Sequence, residues 1–349
     1  METTPVNIGV VGLGFMAATH IKACRKVPGL RVAALCNPSG RNLDGDFSNV
    51  FGNVGDQQPL KLDMSQVKAY RAFSDLLADP DIHLIDICSP TVTHHELAIA
   101  ALRAGKHVLC EKPVARTSQL AREIAEVART AKGYFMPAMC VRFWPEYAWL
   151  HDAIVTGRYG RTLAARFRRV AEPPAWGRKF FFNGELSGGA LLDLHIHDVD
   201  FVQYCFGLPR EVSSAGYVKF SGAIDHVVTQ YRYDSGTIVQ AEGGWAMSEG
   251  FGFSASFTVN FENATADFDV ARGADALRLF EKGQPARSVK PEGGDGYVRE
   301  IEYLTRCIQE RRPPSVVTAA DATNAVAICE AEELSVKSGR PVEPTPLTN

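Results

Sequence analysis

The chain has little charge bias, no closely paired cysteines and no long apolar run. Its 37 basic and 40 acidic residues nearly cancel, leaving a formal net charge of −3. That balance gives no general pull toward nucleic acid or an anionic membrane surface, and a small neutral or weakly charged ligand suits it better. No apolar stretch reaches the roughly 20 residues needed to cross a bilayer. The opening "METTPVNIGVVGLG" lacks a basic segment followed by a cleavable apolar core, so a cytoplasmic enzyme is the expectation. Cysteines at 24, 36, 88, 110, 140, 205, 307 and 329 form no CxxC pair. Several lie inside apolar strand-like runs such as "LIDICSP" and "HVLCEKP" and read as reduced core thiols. Internal repeats, low-complexity segments and basic patches interleaved with aromatics are also missing.

What the chain does have is length and alternation. Its 349 residues exceed one comfortable hydrophobic core, which predicts two domains, 1–135 and 136–349. "VNIGVVGLGFMAATHIKACRKV" runs from a short apolar strand through a glycine turn into an alanine-rich helical pattern. This is the strand, turn and helix of a mononucleotide-binding unit. Gly12 permits the tight turn, Gly14 lets the backbone approach a pyrophosphate, and Ala17 allows close packing of helix on strand. The helix opening at Phe15 and Met16 then offers its unpaired N–H groups to the phosphates.

A second strand, "LRVAALCN", ends about 20 residues beyond that motif, where a ribose-recognising side chain belongs. Asn37 stands there instead of an aspartate or glutamate, followed by Ser39 and Arg41. Without the carboxylate, a 2′-phosphate meets no repulsion, and a guanidinium fork with a hydroxyl suits one. The expected cofactor is therefore NAD(P) with a lean toward NADP, although Asn37 also suits a plain ribose and Arg41 a solvated loop. Residues 42–71 read as a long loop before the helix "AFSDLLADP". Strand "IHLIDICSP", helix "HHELAIAALRAG" and strand "KHVLCEKPV" follow, so a parallel doubly wound sheet is expected, with ligands at the strands' carboxyl ends. Ser89 and Pro90 occupy one such end, and Glu111 and Lys112 another.

Four landmarks in order, "GLGFMA", "SPTVTHHELAIAALRAGKHVLCEKP", "RFWPEY" and "GGALLDLHIHDVD", resemble the glucose-fructose oxidoreductase and inositol dehydrogenase (Gfo/Idh/MocA) family. The resemblance covers most of the chain. It implies an α/β fold: an N-terminal Rossmann domain followed by a C-terminal α+β domain with a large open, mostly antiparallel sheet. It further implies that Lys112 is catalytic, that Ser89, Pro90, His94 and Glu111 border the cofactor, and that Arg142 lies beneath it. The family's Asp-x-Gly-x-His segment falls on Asp193 and His197, with His195 where glycine is commoner.

"GGALLDLHIHDVD" also admits a metal site. Its apolar spacing, with Gly207 as a stop, predicts a helix from about 188. On a helix, Asp193 and His197 share a face while His195 points elsewhere, near Asp198. A His-x-His chelate forms most naturally on an extended strand, and Val199 occupies the position where HxHxDH requires aspartate. No metal is therefore expected. His197 instead exchanges the proton of a substrate hydroxyl, Asp193 orients it or holds a neighbouring hydroxyl, and Lys112 acts on the same oxygen. His195 is left either as a substrate hydrogen bonder or as a packing residue.

Beyond these, "EPPAWGRKFFF" is an aromatic and basic loop whose Trp176 and Arg178 suit a polyhydroxylated ligand, and Tyr297 begins a late helix within reach of substrate. The alternating runs from 211 to 270, with a turn at Asp234 to Gly236, imply an antiparallel sheet. Its free face, with Val, Tyr, Phe and Trp, is the expected surface of a homodimer or homotetramer. The expected reaction moves hydride between nicotinamide and a ring secondary alcohol of a sugar, glycoside or cyclic polyol. Two alternatives stand beside it: a glycosidase or lyase acting through transient oxidation, and a redox-inactive sensor.

Overall fold

The computed structural model describes residues 5–52 and 58–347. It contains two compact units: the chain up to Cys140 together with Gly294–Ala322, and Val141–Gly293 together with the chain from Thr323 onward. The division falls at 140 where 135 was expected, and a late segment returns to the first unit.

In that unit, strands β1 (Val6–Val11), β2 (Leu30–Cys36), β3 (Lys68–Tyr70), β4 (Leu84–Ile87), β5 (His107–Glu111) and β6 (Phe135–Ala138) form one sheet in the order β3-β2-β1-β4-β5-β6. Every neighbouring pair is parallel. Strand order reverses between β1 and β4, which creates the crevice where doubly wound sheets bind ligands. β1 is buried along its whole length, as its unbroken "VNIGVV" requires of a strand covered on both faces. The helices include α1 (Phe15–Cys24), α2 (Phe73–Ala78), α3 (His94–Arg103) and α4 (Ser118–Thr130), the last capped by Thr117 accepting from the Leu120 N–H. The helix Gly296–Gln309, capped by Asp295, packs on α1. The segment expected as loop to residue 71 contains β3 as an edge strand, whose three residues are too short to show a period.

In the second unit, β7 (Thr162–Ala171), β8 (Glu211–Tyr217), β9 (His226–Arg232), β10 (Ile238–Gly244), β11 (Phe253–Phe261), β12 (Ala264–Asp269), β13 (Leu277–Glu281) and β14 (Arg287–Val289) pair in the order β14-β13-β12-β11-β7-β10-β9-β8. All neighbours are antiparallel except β7 with β10. β9 and β10 make the expected hairpin. Burial alternates along β9, with Val227, Thr229 and Tyr231 inward and Val228, Gln230 and Arg232 outward. The helix Ile196–Phe206 packs on β7 and β10, and its Phe201 meets Tyr147 and Phe167 edge-on. The opposite sheet face is more polar than expected: Tyr217, Val228, Ile238 and Phe280 stand on it among Arg166, Gln240 and Thr258, while Trp245 is buried.

Candidate active site

In the first unit the glycine turn separates two duties. Gly12 has φ +82, and a Cβ there would come 2.4 Å from the Ser89 Cα, so the residue is fixed by the strand beside it. A Cβ on Gly14 would meet nothing within 4 Å among the described residues. Its missing side chain makes room for none of those neighbours, which fits a backbone left open to a ligand. Gly14 is exposed, Phe15 and Met16 are half-buried, and no side chain caps α1. These residues fit a pyrophosphate at the helix N-terminus.

Beyond β2, the Asn37 side chain organises its own loop: Oδ1 accepts from the Ser39 hydroxyl at 3.0 Å, and Nδ2 donates to the Arg41 carbonyl at 2.8 Å. Sequence reasoning missed Arg71. It follows β3, and its guanidinium lies against Gly40, where a Cβ would stand 2.7 Å from Nη2. Arg41 and Arg71 are both exposed, and among the described residues no carboxylate pairs with either. Only the pairing of Cys36 with Tyr70 across β2 and β3 brings Arg71 here, and no local signal in the sequence carries that pairing.

At the ends of β4 and β5, the side chains hold one another. Ser89 Oγ and Thr93 Oγ1 are 2.7 Å apart. His94, only 1% exposed, has its ring nitrogens 2.8 Å from the carbonyl oxygens of Ser89 and Pro113, so it ties the β4 end to the residue after Lys112. Burial lowers its pKa. Pro90 is exposed and Lys112 half-buried. Glu111 is buried: Oε2 accepts from the Lys112 N–H at 3.0 Å, and Oε1 lies 3.0 Å from Nε2 of the fully buried His20. His20 Nδ1 faces both Asp86 carboxylate oxygens at 3.0 and 3.1 Å, with Cys88 Sγ 3.4 Å from Asp86 Oδ1. Burial alone would depress His20, but Asp86 and Cys88 raise it well above its ordinary value. Glu111, which burial would raise, is lowered by His20. The lysine therefore follows a carboxylate clamped by a buried imidazolium, so Glu111 acts within the protein and not at its surface. Tyr297 is 6% exposed, with its ring centroid 6.1 Å from that of His20.

In the second unit, the residues of "GGALLDLHIHDVD" part company. Leu191–His195 form a single π turn, and Ile196–Phe206 continue as α-helix to Gly207. Asp198 receives Arg169 Nε at 2.8 Å. Asp200 receives Arg142 through Nε at 2.8 Å and Nη2 at 2.6 Å, and that guanidinium stacks 4.2 Å from the Tyr204 ring centroid. Arg142, expected beneath the cofactor, is 3% exposed, and its charge is neutralised inside its own unit. His195 is fully buried and does not present a hydrogen-bonding group to solvent. Its imidazole stands 3.4 Å from Glu332 and from the Tyr231 hydroxyl. Asp193, in the π turn, and His197, in the α-helix, are partly exposed. Trp176 and Arg178 are exposed, the guanidinium 4.8 Å from the Phe182 ring centroid.

A switch-point crevice with an open glycine turn and a lysine at a strand end, in one chain with an open sheet whose helix offers a histidine and an aspartate, defines an NAD(P)-dependent oxidoreductase acting on CH–OH groups. Residues 6–139 match the oxidoreductase family, NAD-binding Rossmann fold, and residues 147–267 its GFO/IDH/MocA C-terminal domain; the chain belongs to this family. It is 36% identical over 235 residues to 1,5-anhydro-D-fructose reductase of Ensifer adhaerens, covering 66% of this chain and 67% of that protein. It is 24% identical over 351 residues to myo-inositol 2-dehydrogenase of Thermotoga maritima, covering 97% and 98%. A solved levoglucosan dehydrogenase in complex with NADH and levoglucosan superposes with a TM-score of 0.82 at 21% identity, covering 97% of this chain and 99% of that one.

Proposed function

We propose that the protein transfers hydride between NAD(P), with a lean toward NADP, and a ring secondary alcohol of a sugar, glycoside or cyclic polyol. The observation that supports the reading is the exposure pattern of "LDLHIHDVD": His195, Asp198 and Asp200 are buried, whereas Asp193 and His197 are partly exposed. Bound NAD(P) supplies the hydride acceptor or donor. As the carbinol C–H departs, its hydroxyl proton must leave, and His197 accepts it while Asp193 orients the imidazole or holds an adjacent hydroxyl. Lys112, fixed through Glu111 and Pro113, is the second group that acts on the hydroxyl. Gly12, Gly14, Phe15 and Met16 hold the pyrophosphate, and Ser89 and Pro90 border the nicotinamide half. Trp176 and Arg178 contribute to substrate binding.

The lean toward NADP rests on Ser39, Arg41 and Arg71 around a strand end that lacks a carboxylate. The relatives named for reactions on anhydrofructose and inositol support the substrate class. Screening sugars, glycosides and inositols with NAD and NADP, while following nicotinamide absorbance, tests the reading. Turnover without net cofactor reduction would instead favour transient oxidation by a glycosidase or lyase. We also infer a homodimer or homotetramer through the face bearing Tyr217, Val228, Ile238 and Phe280, to be checked by light scattering; a monomer at micromolar concentration refutes it. Among the described residues, no helix is long and apolar enough to cross a membrane.

A further inference from the structure

A π turn is a rare, locally unfavourable winding, and something must hold its extra residue in place. The turn Leu191–His195 is attached at both ends to the helix Ala319–Ser338. At its start, the Leu191 carbonyl accepts from Cys329 Sγ at 3.8 Å. At its end, His195 Nε2 lies 3.4 Å from Glu332 Oε2, while the Tyr231 hydroxyl donates to Glu332 Oε1 at 2.6 Å. Cys329 and Glu332 are one helical turn apart, so one helix face grips both ends. His195, Glu332 and Tyr231 are each no more than 1% exposed. The imidazole also needs a slot in β10: a Cβ on Gly243 would stand 2.4 Å from Nδ1 and 2.7 Å from the His195 Cβ and Cγ. The histidine thus fits only because its neighbouring strand carries glycine.

We propose that His195, anchored by Glu332 and Tyr231 in the slot left by Gly243, is a positioning residue that holds the π turn and thereby aims Asp193 and His197. The inference rests on the proposed role of His197. His195 touches no substrate and exchanges no proton with it. Its imidazole acts as a bolt between the terminal helix and the turn, two residues from each group it positions. Loss of the bolt lets the turn relax toward ordinary α winding, which rotates Asp193 relative to His197.

The test uses the full-length protein with His195→Leu, His195→Gln, Gly243→Ala and the pair His195→Gly with Gly243→Ala. Glutamine keeps an N–H near the position of Nε2, and leucine does not. For a substrate found by the screen, His195→Leu and Gly243→Ala are each expected to lower kcat by about 10- to 100-fold, as a misplacement of about 1 Å does, with KM changed less than about threefold. His195→Gln should recover most of the loss, whereas the pair His195→Gly with Gly243→Ala, which relieves the crowding but lacks the imidazole, should stay at least as impaired as His195→Leu; recovery of that pair to near wild type overturns the bolt. The affinity for NADPH, read by fluorescence titration, should not change. NMR of labelled histidine, with the His197 signal assigned from His197→Asn, should show a displaced His197 titration in His195→Leu and a restored one in His195→Gln. Wild-type kcat and an unmoved His197 titration in His195→Leu overturn the proposal, as does a rise in KM alone, which would make His195 a substrate contact. If His197→Ala keeps full activity, the proton-transfer reading fails, while the NMR result still decides whether His195 positions the turn. Should His195→Leu not fold, the other two single variants decide: a His197 titration displaced in Gly243→Ala and kept in His195→Gln supports the proposal, and wild-type kcat in Gly243→Ala overturns it.

Discussion

Replacing His20 with leucine removes the imidazole that stands between two buried carboxylates. Asp86 is fully buried and Glu111 is 6% exposed, and each faces a different nitrogen of the ring. Leaving a buried charge without its partner costs about 3–5 kcal/mol. In a unit of this size, that corresponds to a fall in melting temperature on the order of 10 °C. The pH dependence supplies a sharper signature. His20 is raised above its ordinary value, against the pull of burial, by Asp86 and Cys88. Its contribution is therefore complete below about pH 6.5, the unfolded value, and is lost as pH rises through the raised folded value. Urea unfolding of wild type and His20→Leu across pH 6 to 10 should show a gap of several kcal/mol near neutrality that narrows toward alkaline pH. A gap under about 0.5 kcal/mol, or one constant across that range, refutes the imidazolium clamp.

Lys112→Ala and His197→Ala are each expected to lower kcat by about 10²- to 10⁴-fold while NADPH still binds; unchanged turnover in both ends the proton-transfer reading. Arg41→Ala combined with Arg71→Ala should cut the preference for NADPH over NADH by about 10- to 100-fold in a fluorescence titration, since two charge-assisted contacts to a phosphate are removed. An unaltered ratio would show that the loop does not read the 2′ position. Gly12→Ala forces a side chain into φ +82 and against the Ser89 backbone, so the variant should melt well below wild type and lose nucleotide affinity. Arg142→Ala leaves Asp200 buried without its bidentate partner, a loss of about 3–5 kcal/mol in unfolding experiments that adding Asp200→Asn should partly restore.

Much of the architecture was legible because local patterns coincided with global ones. "VNIGVV" is apolar throughout because both its faces are covered, and β9 alternates because only one of its faces is. The turn at Asp234 to Gly236 and the stop at Gly207 were readable for the same reason. The unread parts depend on distant partners. β3 is visible only once it pairs with β2, and Arg71 arrives with it. The π turn has no period of its own; it exists through Glu332 and Tyr231, which are 101 residues apart in sequence. Arg142 was placed by the family resemblance, and nothing nearby in sequence announces Asp200 as its partner. The histidine that first suggested a metal belongs to this group: its surroundings are set by a strand and a helix that lie well beyond it in the chain.

The position of β7 has a consequence for how the protein is made. It is the first strand of its sheet to leave the ribosome, yet it lies in the middle, flanked by β10 and β11. Ala164 pairs with Ile238, and Phe167 with Phe257, so neither edge of β7 finds its partner until most of the unit has been synthesised. At about 5–20 residues per second, the strand waits several seconds or longer with both edges open. Its arginines at 166, 168 and 169, with Arg161 just before it, serve ion pairs in the finished sheet and give the waiting segment a positive charge that opposes pairing with copies of itself.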